Sequence, residues 1–195
     1  RLQKLVARRV AREPVSRIRG WREFWSLRFA LSSATLDPRP DSEIIVTTAI
    51  AAAKAQNGTN PEKQLKLLDL GTGSGCLLLA CLSELPHATG VGLDISEAAL
   101  ATAQDNATAL GLGSQSGFYR HSFIGDLSQF GMFDIILCNP PYIPIAEIAD
   151  LEPEVATYEP MRALDGGVDG LDCWRGIMAA VPASLAAGGC LVVEI

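Results

Sequence analysis

From Leu65 onward the chain falls into an order that few folds accept. Short apolar runs at 65–70, 88–94, 117–124, 133–138 and 190–195 are separated by helical stretches at 75–84, 96–110 and 170–187. Runs of this kind read as strands buried on both faces, and the stretches between them supply the helices that cover those faces. The pattern predicts an α/β fold, a parallel sheet with helices on both sides. In such a sheet ligands lie beyond the carboxyl ends of the strands, where the strand order reverses. The residues just after 65–70 and 133–138 are therefore the first candidates for a site.

The part before Leu65 is different. Residues 1–12 place Leu2, Leu5, Val6 and Arg9 at helical spacing until Pro14 ends the run. Trp21 to Leu31 is aromatic and alternates imperfectly, which suits a strand or hairpin linking two units. Asp37-Pro38-Arg39-Pro40 is a rigid turn into a helix from about Asp41 to Ala55, with Asp41 or Ser42 as its cap. Residues 57–61 read as a polar connection. The chain opens on Arg1 and closes at Ile195 inside an expected strand, so a longer polypeptide is expected, with a leading helical unit and closing strands. The domain division on this reading is 1–20 as the end of that unit, 21–36 as a hairpin linker and 37–195 as the main domain.

Composition excludes several classes. With 195 residues, 48% of them hydrophobic, the chain can bury a sizeable core. No window approaches a membrane span and no export signal is visible, so a cytoplasmic protein with no membrane partner is expected. Cys76, Cys81, Cys138, Cys173 and Cys190 lie in apolar contexts without a C-x-x-C pair, as reduced core residues do. His87 and His121 are isolated, so no metal site is expected. The net charge of −6 hides an asymmetry: residues 1–28 carry nine Lys/Arg against two Glu, and the remainder seven against twenty Asp/Glu. An acidic body argues against stable binding of nucleic acid, and the basic start reads as a solvated helix face. A monomer is the default.

Two motifs carry chemistry. Asp69-Leu70-Gly71-Thr72-Gly73-Ser74-Gly75 follows the first run. Its glycines permit a sharp turn and close approach of a ligand, and the helix that follows offers free N–H groups. It lacks the third spaced glycine of a nicotinamide fingerprint, since Cys76 and Leu77 stand there. Asp94 ends the next strand, where a carboxylate can accept from two ribose hydroxyls. Gly125-Asp126-Leu127 follows the third, with Asp126 placed to accept from an adenine amine and Leu127 to pack on the ring. These residues suggest a nucleoside cofactor, S-adenosylmethionine. Asn139-Pro140-Pro141-Tyr142 is the sharper signal. A conjugated –NH₂ group is a poor nucleophile until its N–H bonds are fixed and its lone pair is aimed. The Asn139 side-chain oxygen and the Pro140 carbonyl can each accept one N–H while Tyr142 stacks on the planar group. Amino-group methylation is the expected chemistry.

These residues resemble the HemK/PrmC protein-(glutamine-N5) methyltransferases of translation termination. Beyond the two site motifs the likeness rests on Pro14 to Gly20, Arg22-Glu23-Phe24-Trp25, Pro38 to Glu43, Tyr158-Glu159-Pro160, Ala163 to Gly167 and Asp169-Gly170. The resemblance implies a Rossmann-like class I methyltransferase sheet, preceded by a hairpin and the remnant of a helical domain. It implies methylation of the glutamine in the Gly-Gly-Gln loop of peptide-chain release factors, with S-adenosylmethionine as donor. Gly71, Thr72, Gly73, Ser74, Gly75, Asp94, Asp126, Leu127 and Asn139 would bind the donor, and Asn139, Pro140, Pro141 and Tyr142 would grip the glutamine. Asp37 stands where that family usually has an apolar residue. The alternative is methylation of an exocyclic amine on a nucleic-acid base, since such enzymes share Asn-Pro-Pro-Tyr.

Overall fold

The computed structural model describes residues 2–58 and 63–195. Helices α1 (Leu2–Val10) and α2 (Val15–Arg19) open the chain, and an antiparallel hairpin of β1 (Trp21–Phe24) and β2 (Leu27–Ala30) follows. Helix α2 was not expected. Pro14 supplies a fixed φ at its start, and Gly20, at φ 77°, closes it in the left-handed region. Trp25 and Ser26 turn the hairpin with φ of 53° and 56°. Both central residues at positive φ match the twist of the flanking strands, at a steric cost that two anchors offset. The Trp25 backbone N–H donates to Glu43 at 2.9 Å, and its indole N–H to Glu84 at 3.0 Å.

After α3 (Glu43–Asn57) the elements alternate: β3 (Lys66–Leu70), α4 (Cys76–Glu84), β4 (Thr89–Asp94), α5 (Glu97–Ala109), β5 (Ser116–Arg120), β6 (Phe133–Cys138), α6 (Pro153–Ala156), α7 (Asp172–Ala180) and β7 (Leu185–Val193). The five strands β3 to β7 form one parallel sheet in the order β5-β4-β3-β6-β7. Side chains of successive strand residues point to opposite faces. Leu67, Ile135 and Leu137 therefore pack with α3, α4 and the hairpin's Phe24 and Phe29, whereas Leu68, Leu70, Ile136 and Cys138 pack with Ile177 and Val181. The fold is Rossmann-like, a parallel sheet covered by helices on both faces.

Three boundaries differ from those read off the sequence. The run at 117–124 stays in the sheet only to Arg120, which pairs with Asp94, the last residue of β4; beyond it no neighbouring strand remains, and 121–124 leave as a loop. The helix expected over 170–187 stops at Ala180, because Pro182 lacks an N–H and sits in a 3-10 turn. The last strand starts at Leu185 rather than 190, with a register shift across Gly188 and Gly189. Of the connection expected at 57–61, the part from 59 lies outside the described residues.

Candidate active site

The order of the sheet reverses between β3 and β6, whose final residues Leu70 and Cys138 pair. Their carboxyl ends therefore deliver Gly71 and Asn139 side by side, at the crevice where this class of sheet binds ligands. After β3, the N–H groups of Gly71 and Thr72 both donate to the Leu93 carbonyl at 2.9 Å, and Gly75 N–H donates to the Thr72 carbonyl at 2.8 Å. The turn needs glycine. Gly71, Gly73 and Gly75 have φ of 73°, 54° and 79°, and a Cβ on Gly75 would lie 3.1 Å from Leu79 and 3.2 Å from Ala103.

Two carboxylates hold this loop. Asp69, fully buried, accepts from Thr72 Oγ1 at 2.7 Å. Burial pushes its acid up to about 7; the Thr72 hydrogen bond opposes the shift and the charge of Asp94 adds to it. Asp94 accepts from Gly73 N–H at 3.0 Å and Ser96 N–H at 2.8 Å, one on each oxygen. Each oxygen keeps a lone pair for a ligand. Buried Asn106 binds both Ala30 backbone groups, at 2.8 and 3.2 Å, and the Ser74 carbonyl at 2.9 Å, tying the loop to the hairpin.

Above the loop lies a cavity of about 520 Å³, in the range of small-molecule sites. Gly71, Thr72, Gly73, Ser74, Asp94, Asn139 and Pro141 line it, as do Ile95, Phe123 and Ile124. Among the described residues the buried Ser74 hydroxyl has no nitrogen or oxygen partner. A glycine turn at a helix start, an unpartnered hydroxyl, a strand-terminal carboxylate and apolar walls suit a nucleoside that bears a polar tail. Gly75 lies beneath the lining and shapes the turn. Asp126 and Leu127, expected at the base of the cofactor, are not among the residues that line this cavity. Leu127 is buried in the core beneath the sheet, and the exposed Asp126 accepts from Ser128 N–H at 2.9 Å, which holds its carboxyl below the usual range. The early end of β5 is the reason, since it lets the chain turn sooner and puts Phe123 and Ile124 at the wall instead.

A second cavity, of about 230 Å³, adjoins the first and is lined by Pro140, Tyr142, Ile143, Leu164 and Glu194. Asn139 and Arg39 border both. Among the described residues no protein donor reaches Asn139 Oδ1 or the Pro140 carbonyl. The Tyr142 phenol is raised above its ordinary pKa, first by burial and then by the charge of Glu194, so the ring stays neutral. The backbone around Tyr142 is clamped by glycines. A Cβ on Gly166 would lie 2.8 Å from Tyr142 Cα, and a Cβ on Gly170 would overlap the Tyr142 carbonyl. Residues 48–151, just over half of the chain, match the model of the methyltransferase small domain.

The chain belongs to that family. It is 51% identical over 195 residues to the release factor glutamine methyltransferase of Rhodospirillum rubrum, covering 99% of this chain and 57% of that protein. It is 48% identical to that of Bradyrhizobium diazoefficiens, covering 100% of this chain and 64% of that protein. The chain thus spans roughly three fifths of the length of these relatives. Among solved structures, the hMettl16 catalytic domain in complex with MAT2A 3'UTR hairpin 6 superposes with a TM-score of 0.60 at 15% identity, over 80% of this chain and 56% of that one, a likeness of fold.

In this methyltransferase small domain, motifs scattered along the sequence converge on one buried ionic cluster. Glu159 takes Arg17 on one side and Arg39 at 3.1 Å on the other, and the Asp37 N–H donates to it at 3.1 Å. Asp37 accepts from Ser16 and lies 3.6 Å from Arg22. An acid at position 37 is thereby accommodated where an apolar side chain was expected. Nothing in the one-dimensional pattern linked residues 16, 37 and 159; Arg39 reaches the cavities because this cluster holds it.

Proposed function

We propose that the chain carries the methyl-transfer site for the side-chain amide of the glutamine in the Gly-Gly-Gln loop of peptide-chain release factors, with S-adenosylmethionine as donor. One observation carries this: Asn139 borders both cavities, and among the described residues no protein donor takes up its Oδ1 or the neighbouring Pro140 carbonyl. The larger cavity fits the donor, with Asp94 for the ribose diol, Gly71 to Gly75 around the polar tail and Phe123 and Ile124 against the base. The bound donor supplies an electrophilic sulfonium methyl. Everything else falls to the chain. Asn139 Oδ1 and the Pro140 carbonyl each accept one N–H of the glutamine amide, and Tyr142 lies against its plane. The amide lone pair is then directed at the larger cavity. The new N–C bond forms as the methyl–sulfur bond of the donor breaks, and the methylated nitrogen then gives up its extra proton to solvent; orientation of this kind contributes roughly 7–11 kcal/mol at best, so catalysis rests on positioning more than on a general base.

The name of the relatives, release factor glutamine methyltransferase, supports the release-factor substrate. The ion pairs of α1 favour a protein over a nucleic acid: Arg8 is held by Glu13, Arg9 by Glu154 at 3.1 Å and Arg12 by Glu152 at 2.7 Å, so three of the basic start's charges are already matched by carboxylates, which reduces its attraction for phosphates. The reading takes 37–195 as the methyltransferase domain, acting as a monomer, with residues 21–36 packed on its core. Incubation with methyl-labelled donor and either a release factor or nucleic acid tests it. Label in the release factor is expected, and label only in nucleic acid would overturn the reading.

A further inference from the structure

Ser42 stands at the start of α3, where a serine hydroxyl ordinarily accepts an N–H of the first helical turn. It makes no such bond. Its hydroxyl instead donates to Glu194 Oε2 at 2.5 Å and accepts from Asn139 Nδ2 at 3.3 Å. Glu194 follows β7 directly, and its own N–H donates to the Cys138 carbonyl at 3.1 Å, which brings its carboxylate beside Asn139.

These roles are not interchangeable. A carboxylate only accepts, so the single Ser42 proton points at Glu194 and leaves Ser42 with lone pairs alone. Asn139 must then turn its –NH₂ toward Ser42, and its oxygen faces the junction of the cavities. An asparagine free to rotate half a turn would offer N–H groups to the N–H groups of the incoming amide. We infer that Ser42 and Glu194 are positioning residues that lock the Asn139 carboxamide with its oxygen toward the substrate; the catalytic consequence rests on the methyl-transfer reading above.

The test compares the unaltered chain with Ser42→Ala, Ser42→Thr, Glu194→Gln and the Ser42→Ala/Glu194→Gln double variant. Gln at 194 can donate to Ser42, which frees the Ser42 proton to turn toward Asn139 and permits the wrong rotamer. Ser42→Ala and Glu194→Gln are each expected to lower kcat on a release factor roughly tenfold or more, with donor Kd changed less than about threefold. Ser42→Thr, which keeps the hydroxyl, recovers most of the rate. The double variant is no slower than the worse single one, because both act through the same amide. Full kcat in Ser42→Ala, or additive losses, would overturn the inference. A second readout needs no substrate. In protein labelled with heavy nitrogen, the side-chain amide resonances that vanish in Asn139→Asp should show slowed hydrogen exchange, retained in Ser42→Thr and lost in Ser42→Ala. Exchange unchanged by Ser42→Ala refutes the lock, whether or not the chain methylates a release factor. A retained lock with no transfer to release factor would instead sink the substrate reading.

Discussion

At the scale of single residues, the site separates donor binding from substrate orientation. Asp94 faces only the larger cavity, whereas Asn139 stands between the two. Asp94→Ala should weaken donor binding about tenfold or more by calorimetry, the loss of roughly 1.4 kcal/mol or more of hydrogen bonding. Asn139→Ala should leave donor affinity within a few-fold while turnover falls by about 10²–10³, the scale seen when one oriented group at a reacting centre is removed. Equal loss of both quantities in Asn139→Ala would contradict that division. Asp69 makes a different prediction. Its acid is raised to about 7 in the folded chain by burial, so between the ordinary aspartate range and pH 7 the folded state binds the proton that the unfolded state has released. Stability from this group is therefore fully present at low pH and lost as pH rises through about 7. Asp69→Asn, which can still accept from Thr72, should flatten that fall. Its urea midpoint relative to the parent should be higher at pH 8 than at pH 5; a constant difference would show that Asp69 does not titrate there.

At the scale of elements, the helix–turn before the hairpin, the turn into α3 and the segment after β6 are joined by charge as well as by apolar packing. Glu159→Ala leaves Arg17 buried without its partner, and breaking such a pair costs about 3–5 kcal/mol. Chemical denaturation should show that loss, and an effect within ~0.5 kcal/mol would mean the cluster is solvated in solution. The elements themselves were largely legible, because apolar runs bounded by glycine and proline mark strands and helices locally. The glycine turn, Asp94 and the Asn-Pro-Pro-Tyr segment could be placed in the fold from the sequence since each ends or follows a strand, and strand ends are where a parallel sheet gathers its ligands. Asp126 and Leu127 could not. Where β5 stops depends on the length of β4 beside it, a property of the pairing and not of residues 117–124. Ser42 was legible only as a cap, because the partner that diverts its hydroxyl lies at Glu194, on the far side of the chain.

At the scale of the whole molecule, a reversal of strand order between β3 and β6 sets two loops against each other, and a ring of supports fixes them: Asn106 under the glycine loop, Gly166 and Gly170 behind Tyr142, and Ser42 with Glu194 behind Asn139. The supports come from every part of the chain, which is why the site can be rigid although its motif is four residues long. Asn139 borders both of the cavities they frame, and Pro140 beside it lines the smaller. A crystal of the chain with demethylated donor product and a Gly-Gly-Gln peptide measures that junction directly. The glutamine amide nitrogen should lie within hydrogen-bond distance, about 2.7–3.2 Å, of both Asn139 Oδ1 and the Pro140 carbonyl, with Tyr142 against its plane. A glutamine bound with its amide nitrogen away from both oxygens would contradict the account.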